Sequence, residues 1–301
     1  MKLVRFGEAG AERPGLIGAD GALRDLSGVV PDISGSALTS EGLARIRAVD
    51  PASLPEAPAD ARLGPCVGRV GNFIGVGLNY ADHAAETGLR IPREPILFNK
   101  APNCIVGAND DVMLPKAEQR TDWEVELAFV VGDRAYNVEP EDALKHIAGV
   151  CICNDVSERH FQTERSGQWV KGKSSPTFGP LGPWLVTLDE AGDLDSLDMF
   201  LDVDGRRMQT GNTSTMIFKI PFLLSYISSF MVLDPGDVVT TGTPPGVGMG
   251  KTPPTYLKAG DTMRLGITGL GEQTQNVVNF SEEAAGAHRA HAYPSGFDIP
   301  R

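Results

Sequence analysis

The chain has 301 residues, 41% of them hydrophobic and 22% charged, which are ordinary values for a globular protein with a substantial core. Its 27 lysines and arginines against 39 aspartates and glutamates give a formal net charge of −12, which disfavours broad binding to nucleic acids or anionic membranes because both need a basic surface. No apolar run approaches the roughly 20 residues of a membrane span, there is no signal-peptide pattern, and the 4 cysteines do not suggest a disulfide framework. A cytoplasmic location is therefore expected.

Glycine and proline are abundant, at 35 and 22 residues, which favours strands joined by shaped loops over long helices. A strand is predicted over residues 2–6 and a helix over residues 40–48. Residues 51–65 are rich in proline and alanine without periodicity, as is typical of a linker. We therefore predict a small N-terminal α+β domain with its linker over residues 1–66, and a larger domain that carries the chemistry over residues 67–301.

The larger domain has more strand signals than helix signals, so its predicted class is α+β with β-structure dominant. Apolar runs and alternation predict strands at residues 72–77, 123–131, 150–153, 237–241, 262–267 and 272–278. Asp204-Gly205 predicts a hairpin turn. Helices are predicted at residues 80–87, 139–148, 155–164 and 221–230. The second of these has Pro140 at its start and Gly149 after its end.

One short motif, Gly250-Lys251-Thr252, resembles the end of a phosphate-binding loop. Such a loop needs a glycine where this chain has Pro245, and it needs a helix where Pro253-Pro254 follows. A phosphate-binding loop is therefore rejected.

Two glutamates interrupt the strongest strand signal, at Glu124 and Glu126. Side chains alternate along a strand, so both carboxylates are expected on the same face. Two like charges on one face of a half-buried strand are unfavourable unless a positive group lies between them. A solvated edge face would also explain the pattern, so this pair alone does not distinguish a metal site from surface charge.

A third carboxylate follows the next buried strand, in Asn154-Asp155. In the predicted helix, Asp155, Arg159 and Gln162 would share one face because of their i, i+4, i+7 spacing. Three carboxylates without a cysteine or a paired histidine motif suit a hard ion such as Mg²⁺ or Mn²⁺. A simple surface pair between Asp155 and Arg159 is the alternative.

Two further groups add possible catalytic chemistry. Lys173, in Lys171-Gly172-Lys173-Ser174, can bind an anionic substrate group, although a loop lysine is more often solvated. His83 and Glu86 are spaced i, i+3 on a predicted short helix, which permits a hydrogen-bonded dyad that activates water. The remaining histidines are interpreted as structural or surface residues: His146, His160, His288 and His291.

In this order, the motifs resemble the fumarylacetoacetate hydrolase family. The resemblance covers about residues 71–280, and it is the ordered set rather than any one motif that is specific. It rests on Asn79-Tyr80-x-x-His83-x-x-Glu86, Glu124-x-Glu126, Asn154-Asp155-x-x-x-Arg159-x-x-Gln162, Lys171-Gly172-Lys173-Ser174 with Thr177, and Thr240-Thr241-Gly242-Thr243-Pro244-Pro245-Gly246-Val247-Gly248.

The resemblance implies a mixed β-roll or sandwich of the fumarylacetoacetase C-terminal type around Mg²⁺ or Mn²⁺, and a homodimer. It implies three metal ligands, Glu124, Glu126 and Asp155. It assigns water activation to His83 and Glu86, on a lid, and enolate stabilisation to Lys173. The substrate-binding residues that it implies are Arg159, Gln162, Lys173, Thr177 and Thr243.

The family acts on 2-oxo acids, and residues 95–100 and 234–243 look most like bacterial enzymes of sugar-acid breakdown. The expected reaction is therefore hydrolysis of the C3–C4 bond of a 2,4-dioxo acid, for example 2,4-didehydro-3-deoxy-L-rhamnonate to pyruvate and L-lactate. Oxaloacetate decarboxylase, 2-oxo acid isomerase or hydratase, and ureidoglycolate lyase remain alternatives with the same metal site. A metal-binding protein without catalysis is disfavoured, because the His83–Glu86 pair would then have no role.

Overall fold

The structure, a computed structural model, describes residues 1–86, 90–116 and 120–285. Most of the regular structure in this part of the chain is strand. The strands are β1 (Lys2–Phe6), β2 (Arg13–Ile17), β3 (Leu23–Asp25), β4 (Phe73–Gly77), β5 (Ile96–Lys100), β6 (Ile105–Gly107), β7 (Val112–Met113), β8 (Thr121–Asp122), β9 (Val125–Val131), β10 (Ile147–Asn154), β11 (Ser157–Glu158), β12 (Gly179–Val186), β13 (Asp198–Val203), β14 (Arg206–Asn212), β15 (Val238–Thr240), β16 (Thr262–Ile267) and β17 (Gly271–Val278). The α-helices are α1 (Ser40–Arg47), α2 (Ala81–Glu86), α3 (Val170–Lys173) and α4 (Ile220–Ser228).

A 10-stranded mixed sheet forms the centre of the molecule, in the order β3-β2-β1-β12-β10-β9-β15-β4-β5, with β6 paired to β12. Every residue of β9 and β10 is buried, which explains why both strands are mostly apolar on both faces, with Glu126 and Asn154 as the polar exceptions. The two strands are antiparallel, and Cys153 lies opposite Glu126. The metal-ligand candidates therefore lie in the middle of the largest sheet and not on its edge.

A second sheet, of 5 strands in the order β14-β13-β16-β17-β7, lies against β9, β10 and β12. Buried amides join the two sheets. Gln273 donates to the carbonyls of Ile152 and Gly182, both at 2.9 Å, and Asn154 donates to Gln275 at 3.0 Å. The fold is therefore α+β with strand dominant and two packed sheets, as predicted.

The N-terminal segment extends the large sheet, because β1 pairs antiparallel with β12. Its apolar residues, such as Leu3 and Ile33, belong to the same core as the central strands. A chain division at residues 66/67 stays a prediction. Among the described residues, no helix has the length and the apolar character needed to cross a membrane.

Most predicted strands are confirmed, and so are α1, α4 and the Asp204-Gly205 turn, where both residues have positive φ. Two predicted helices are wrong. Residues 139–148 contain only a 3-10 helix, Ala143–His146, and Ile147 already begins β10. The pairing of Ile147 with Val131 of β9 outweighs the local helical signals at the end of this segment.

The second wrong helix is the one predicted at residues 155–164. That segment forms the short strand β11 and then a π-helix, His160–Glu164. The predicted helix at residues 80–87 is present as α2, with its last residue and Gly88 outside the described residues. His288 and His291 also lie outside the described residues.

Candidate active site

Three buried carboxylates meet where β9 begins and β10 ends. Glu124 directly precedes β9, and Glu126 is its second residue. The backbone N–H of Asp155 donates to the carbonyl of Glu124 at 2.9 Å, which holds the end of β10 beside the start of β9. One carboxylate oxygen from each of Glu124, Glu126 and Asp155 lies within 4.8 Å of the others. Antiparallel pairing thus brings together residues about thirty positions apart.

Two buried lysines hold Asp155 between them. The Lys173 ammonium donates to Asp155 Oδ2 at 2.6 Å and to Glu124 Oε2 at 2.7 Å. The Lys100 ammonium donates to Asp155 Oδ1 at 2.6 Å. Both lysine side chains are fully or almost fully buried, so these charge-assisted bonds are little screened by water.

Arg159 pairs with Glu124 and Asp122, and not with Asp155 as the surface-pair alternative supposed. Its Nη2 donates to Glu124 Oε1 at 2.7 Å, and its Nε donates to Asp122 Oδ2 at 2.8 Å. Its Nη1 donates to Gln162 Oε1 at 3.0 Å. Arg159 therefore fixes the orientation of Glu124, while two of its five N–H groups remain for other contacts.

The two glutamates have opposite electrostatic environments. Burial raises the pKa of Glu124, but the charges of Lys173 and Arg159 outweigh burial and lower this pKa to about 2. Burial also raises the pKa of Glu126, and there the carboxylates of Asp155 and Glu124 raise it further, well above its usual range. The charge of Lys173 and the N–H of Gly242, which is 2.9 Å from Glu126 Oε2, only partly offset this rise in the pKa.

A hard divalent cation fits this cluster. The donors are all carboxylate oxygens, the kind of ligand that Mg²⁺ and Mn²⁺ prefer. A cation beside Glu126 would also remove the electrostatic cost that raises the pKa of this group. The residues that would hold the ion are Glu124, Glu126 and Asp155.

The loop that follows β15 fixes several acidic groups through its backbone. Besides Gly242, which donates to Glu126, Gly246 N donates to Glu86 at 3.0 Å. Gly248 N and Met249 N donate to the two oxygens of Asp122, at 2.7 and 3.0 Å. A side chain at Gly248 would place its Cβ only 1.9 Å from the carbonyl of Thr255, so glycine is required for this close approach.

His83 and Glu86 form the predicted dyad on α2. His83 Nδ1 lies 3.1 Å from Glu86 Oε2, and His83 is buried. Because Glu86 also accepts from Gly246 N, the carboxylate is held in place while it contacts the imidazole. Such a contact can orient the imidazole and stabilise its protonated form.

The dyad and two of the clustered carboxylates, Glu124 and Glu126, line one cavity of about 510 Å³, which is large enough for a small organic acid. Phe98 and Trp169 form an aromatic wall, with ring centroids 5.4 Å apart, and Lys173 Nζ lies 5.0 Å from the Phe98 ring centroid. The cavity is lined by Val76, Gly77, Leu78, His83, Glu86, Phe98, Glu124, Glu126, Arg159, Gln162, Thr163, Trp169, Lys173, Gly242, Thr243, Met249, Gly250, Lys251 and Thr252.

The hydroxyls of two predicted substrate-binding threonines, Thr243 and Thr177, make hydrogen bonds within the protein. Thr243 lines the cavity, but its hydroxyl donates to the carbonyl of Val125 and accepts from Gln209. The Thr177 hydroxyl accepts from the N–H of Met113 at 2.7 Å, and Thr177 is not among the described residues that line the cavity. Roles for these two side chains in substrate binding stay predictions.

Several residues that build this site were not predicted from the sequence. Asp122 and Lys100 hold the ligand set, and Phe98, Trp169 and Lys251 line the cavity. The signal available for Lys100 was a lysine that ends an apolar strand, since such a lysine is buried only when it is paired. Asp122 had a similar signal, because it directly precedes the apolar run from Trp123.

Comparisons with known proteins find one matching family model and close relatives over most of the chain. Residues 72–278 match the model of the fumarylacetoacetate (FAA) hydrolase C-terminal family. A Burkholderia multivorans protein, named only as a hydrolase, is 58% identical over 91% of this chain and 98% of its own.

Three solved structures are informative. A fumarylacetoacetate hydrolase from Exiguobacterium antarcticum is 36% identical, with a TM-score of 0.83 over 93% of this chain and 100% of its own. A 2-hydroxyhepta-2,4-diene-1,7-dioate isomerase from Mycobacterium marinum is 30% identical, with a TM-score of 0.75 over 94% of this chain and 100% of its own. A maleylpyruvate hydrolase from Sphingobium sp. SYK-6, in complex with manganese(II) and pyruvate, is 27% identical, with a TM-score of 0.78 over 93% of this chain and 100% of its own.

Proposed function

This chain belongs to the fumarylacetoacetate hydrolase family, and on that basis we propose that it is a metal-dependent hydrolase of a 2,4-dioxo acid. Water adds at C4, the C3–C4 bond breaks, and pyruvate leaves together with the carboxylic acid of the acyl part. The proposed substrate is a sugar-acid derivative such as 2,4-didehydro-3-deoxy-L-rhamnonate, which gives pyruvate and L-lactate. The observation that carries this proposal is that the His83–Glu86 dyad lines the same cavity as two of the three clustered carboxylates, Glu124 and Glu126.

Magnesium or manganese, held by Glu124, Glu126 and Asp155, would supply Lewis-acid polarisation of the 2-oxo acid and stabilise negative charge on its enolate. The maleylpyruvate hydrolase with manganese and pyruvate supports this use of the cluster. Lys100 and Arg159 keep two of the carboxylates in place through the bonds described above.

His83 would take a proton from the attacking water. Its Nδ1 faces Glu86, which makes Nε2 the nitrogen that accepts this proton. The Glu86 carboxylate then stabilises the imidazolium, because it lies 3.1 Å from Nδ1 and is itself anchored by Gly246. The same imidazolium can return the proton to C3 of the leaving enolate.

Lys173 would stabilise the charge that develops as the C3–C4 bond breaks. An ammonium has three N–H donors, and Glu124 and Asp155 accept two of them. The third is available to a substrate oxygen in the cavity that Lys173 lines. This donor is already positioned before the enolate forms, so little reorganisation accompanies the reaction.

Comparing hydrolysis of a 2,4-dioxo acid with decarboxylation of oxaloacetate tests the proposal. His83→Ala should lower hydrolysis by about 10²–10⁴-fold, the usual contribution of a general base, and should leave metal affinity unchanged. Lys173→Ala should lower both activities, because both pass through a pyruvate enolate. Hydrolysis that survives His83→Ala within about tenfold, or equal profiles for the two variants, would show that the dyad is not the base.

The same assay addresses the alternatives. A decarboxylase or an isomerase needs the ion and Lys173 but no attacking water, and the similarity to a dienoate isomerase is the observation that favours the isomerase among these alternatives. A wild-type enzyme that decarboxylates oxaloacetate or isomerises an unsaturated 2-oxo acid much faster than it hydrolyses any 2,4-dioxo acid would favour that alternative. Rapid turnover of ureidoglycolate alone would favour the lyase.

A further inference from the structure

One cation of the cavity has no role in the chemistry just described. Arg159 and Lys173 line the cavity, but carboxylates of the site occupy both of them. Lys251 also lines it, and among the described residues no carboxylate lies within 4.0 Å of its ammonium. Its hydrogen-bond partner is the backbone carbonyl of Met208, at 3.2 Å. An ammonium at a cavity wall without a counter-charge is suited to an oxygen of the ligand.

The position of Lys251 is fixed by the active site itself. The preceding 3-10 helix, Gly248–Gly250, is held by the two backbone bonds to Asp122, whose carboxylate also binds Arg159. The N–H of Lys251 donates to the carbonyl of Gly248 at 3.2 Å, which continues this turn. Lys251 is therefore attached to the metal-ligand framework and does not project from an unsupported loop.

The same turn places Lys251 at the end of the cavity where the dyad lies. The Glu86 carboxylate is within 3.1–3.4 Å of the point where a Cβ at Gly250 would be, so Gly250 and Glu86 are in close contact. In the proposed reaction the dyad acts at C4, whereas Lys173 and the carboxylates hold the pyruvate part. A residue next to Gly250 therefore lies towards the acyl part of the substrate.

We propose that Lys251 is a specificity-determining residue that binds an oxygen on the acyl part of the substrate, either a hydroxyl or a carboxylate. This inference rests on the proposed function for the orientation of the substrate. One ammonium N–H is given to Met208, which leaves two for the ligand. The aromatic wall of Phe98 and Trp169 suits the carbon chain, so selectivity among acyl groups would come from this polar contact.

The test uses three 2-oxo acids of equal chain length that differ only at C5: 2-oxopentanoate, 5-hydroxy-2-oxopentanoate and 2-oxoglutarate. None has a carbonyl at C4, so their binding does not depend on hydrolysis. Dissociation constants should be measured by calorimetry in the presence of Mn²⁺. The wild type should bind the two C5-oxygenated acids at least about tenfold more tightly than it binds 2-oxopentanoate, as expected for a hydrogen bond to a charged group.

The variants separate a contact with the ligand from a general effect of charge. Lys251→Met should abolish this preference, so that the ratio of the dissociation constants falls to about 1. Lys251→Arg should retain most of the preference because the guanidinium still provides N–H donors. The exposed lysine of the same segment gives the matched control: Lys258→Met should leave the preference unchanged. Loss of a distant charge would weaken all three acids alike, so the ratio between ligands is the decisive quantity.

Two results would overturn the proposal. The first is equal binding of the three acids by the wild type. The second is a Lys251→Met variant in which the binding of all three acids is weakened by the same factor, because Lys251 would then only support the loop through its bond to Met208. A preference for the oxygenated acids without hydrolysis of any 2,4-dioxo acid would support Lys251 and refute the proposed function. Hydrolysis of a 2,4-dioxo acid without this binding preference would support the proposed function and refute the role of Lys251.

Discussion

The contrast between Glu124 and Glu126 makes a prediction that tests the electrostatics of the site without any substrate. Replacing either residue by glutamine removes one negative charge and keeps the size of the side chain. Glu124 accepts from Lys173 and Arg159, so Glu124→Gln leaves two buried cations without a full counter-charge. Glu126 lies beside two other carboxylates, so Glu126→Gln removes a repulsion.

The magnitude follows from the pKa of each group. The pKa of Glu124 falls from its usual 4.5 to about 2, which corresponds to about 3 kcal/mol because each tenfold change in an equilibrium constant is about 1.4 kcal/mol. This stabilisation is fully present above pH 4.5 and is lost as the pH falls towards 2. At neutral pH, Glu124→Gln should therefore lower the free energy of unfolding of the metal-free protein by about 3 kcal/mol.

The ionisation of Glu126 affects stability in the opposite direction. Its pKa is raised in the folded protein, so above a pH of about 4.5 the unfolded chain has released a proton that the folded chain still holds. The contribution of Glu126 to stability therefore falls as the pH rises through this range. Glu126→Gln, which is always neutral, should match or exceed the wild type in unfolding free energy without metal, with an advantage that grows as the pH rises above about 4.5.

Urea denaturation of the three proteins, with a chelator and with Mn²⁺, measures these differences. Mn²⁺ should stabilise the wild type and should have much less effect on either variant, because each lacks one metal ligand. A Glu126→Gln protein that is as strongly destabilised as Glu124→Gln in chelator would refute the electrostatic argument. Equal stabilisation of all three proteins by Mn²⁺ would refute the metal site.

Three further results are expected. Removal of divalent ions should abolish hydrolysis and addition of Mg²⁺ or Mn²⁺ should restore it, so full activity in a chelator would contradict the metal assignment. Residues 80–91, of which 87–89 lie outside the described part, are predicted to form a lid. Amide hydrogen exchange in α2 should be fast in the ligand-free protein and slow in the presence of oxalate and Mn²⁺. Slow exchange in both states would exclude a lid. Gly75→Ala would place a Cβ 2.2 Å from the Phe98 ring and should cost about 1–3 kcal/mol in a urea titration. Gly28→Ala, with no atom within 4 Å of its Cβ, is the control, and an equal cost for both variants would contradict the packing argument.

Local patterns predicted the nature of the site well. The alternation through Glu124 and Glu126 indicated two carboxylates on one face, and the chain that follows the next apolar strand supplied Asp155. Oxygen ligands without sulfur indicated a hard ion, and this inference depends only on residue type. The His83–Glu86 contact was predictable for the same reason, because both residues lie on one turn of α2. The homodimer and the cytoplasmic location stay predictions.

The partners of these residues were not predictable from neighbouring positions. Asp155 accepts from Lys100, which is 55 positions away, and Arg159 donates to Asp122, which is 37 positions away. The same limit explains the wrong helix at residues 139–148, where local signals favour a helix but Ile147 is already paired in the central sheet.

The sequence by itself therefore determined several strands, such as β9 and β17, and the types and order of the candidate metal ligands, because periodicity and side-chain chemistry are local properties. The tertiary structure decided which carboxylate is paired with a cation, and hence that the pKa of Glu124 falls while that of Glu126 rises. It also decided that Lys251 lines the cavity without an acidic partner in the described part of the chain. These features depend on strand order and register, which are fixed only when distant segments bury their apolar faces against one another.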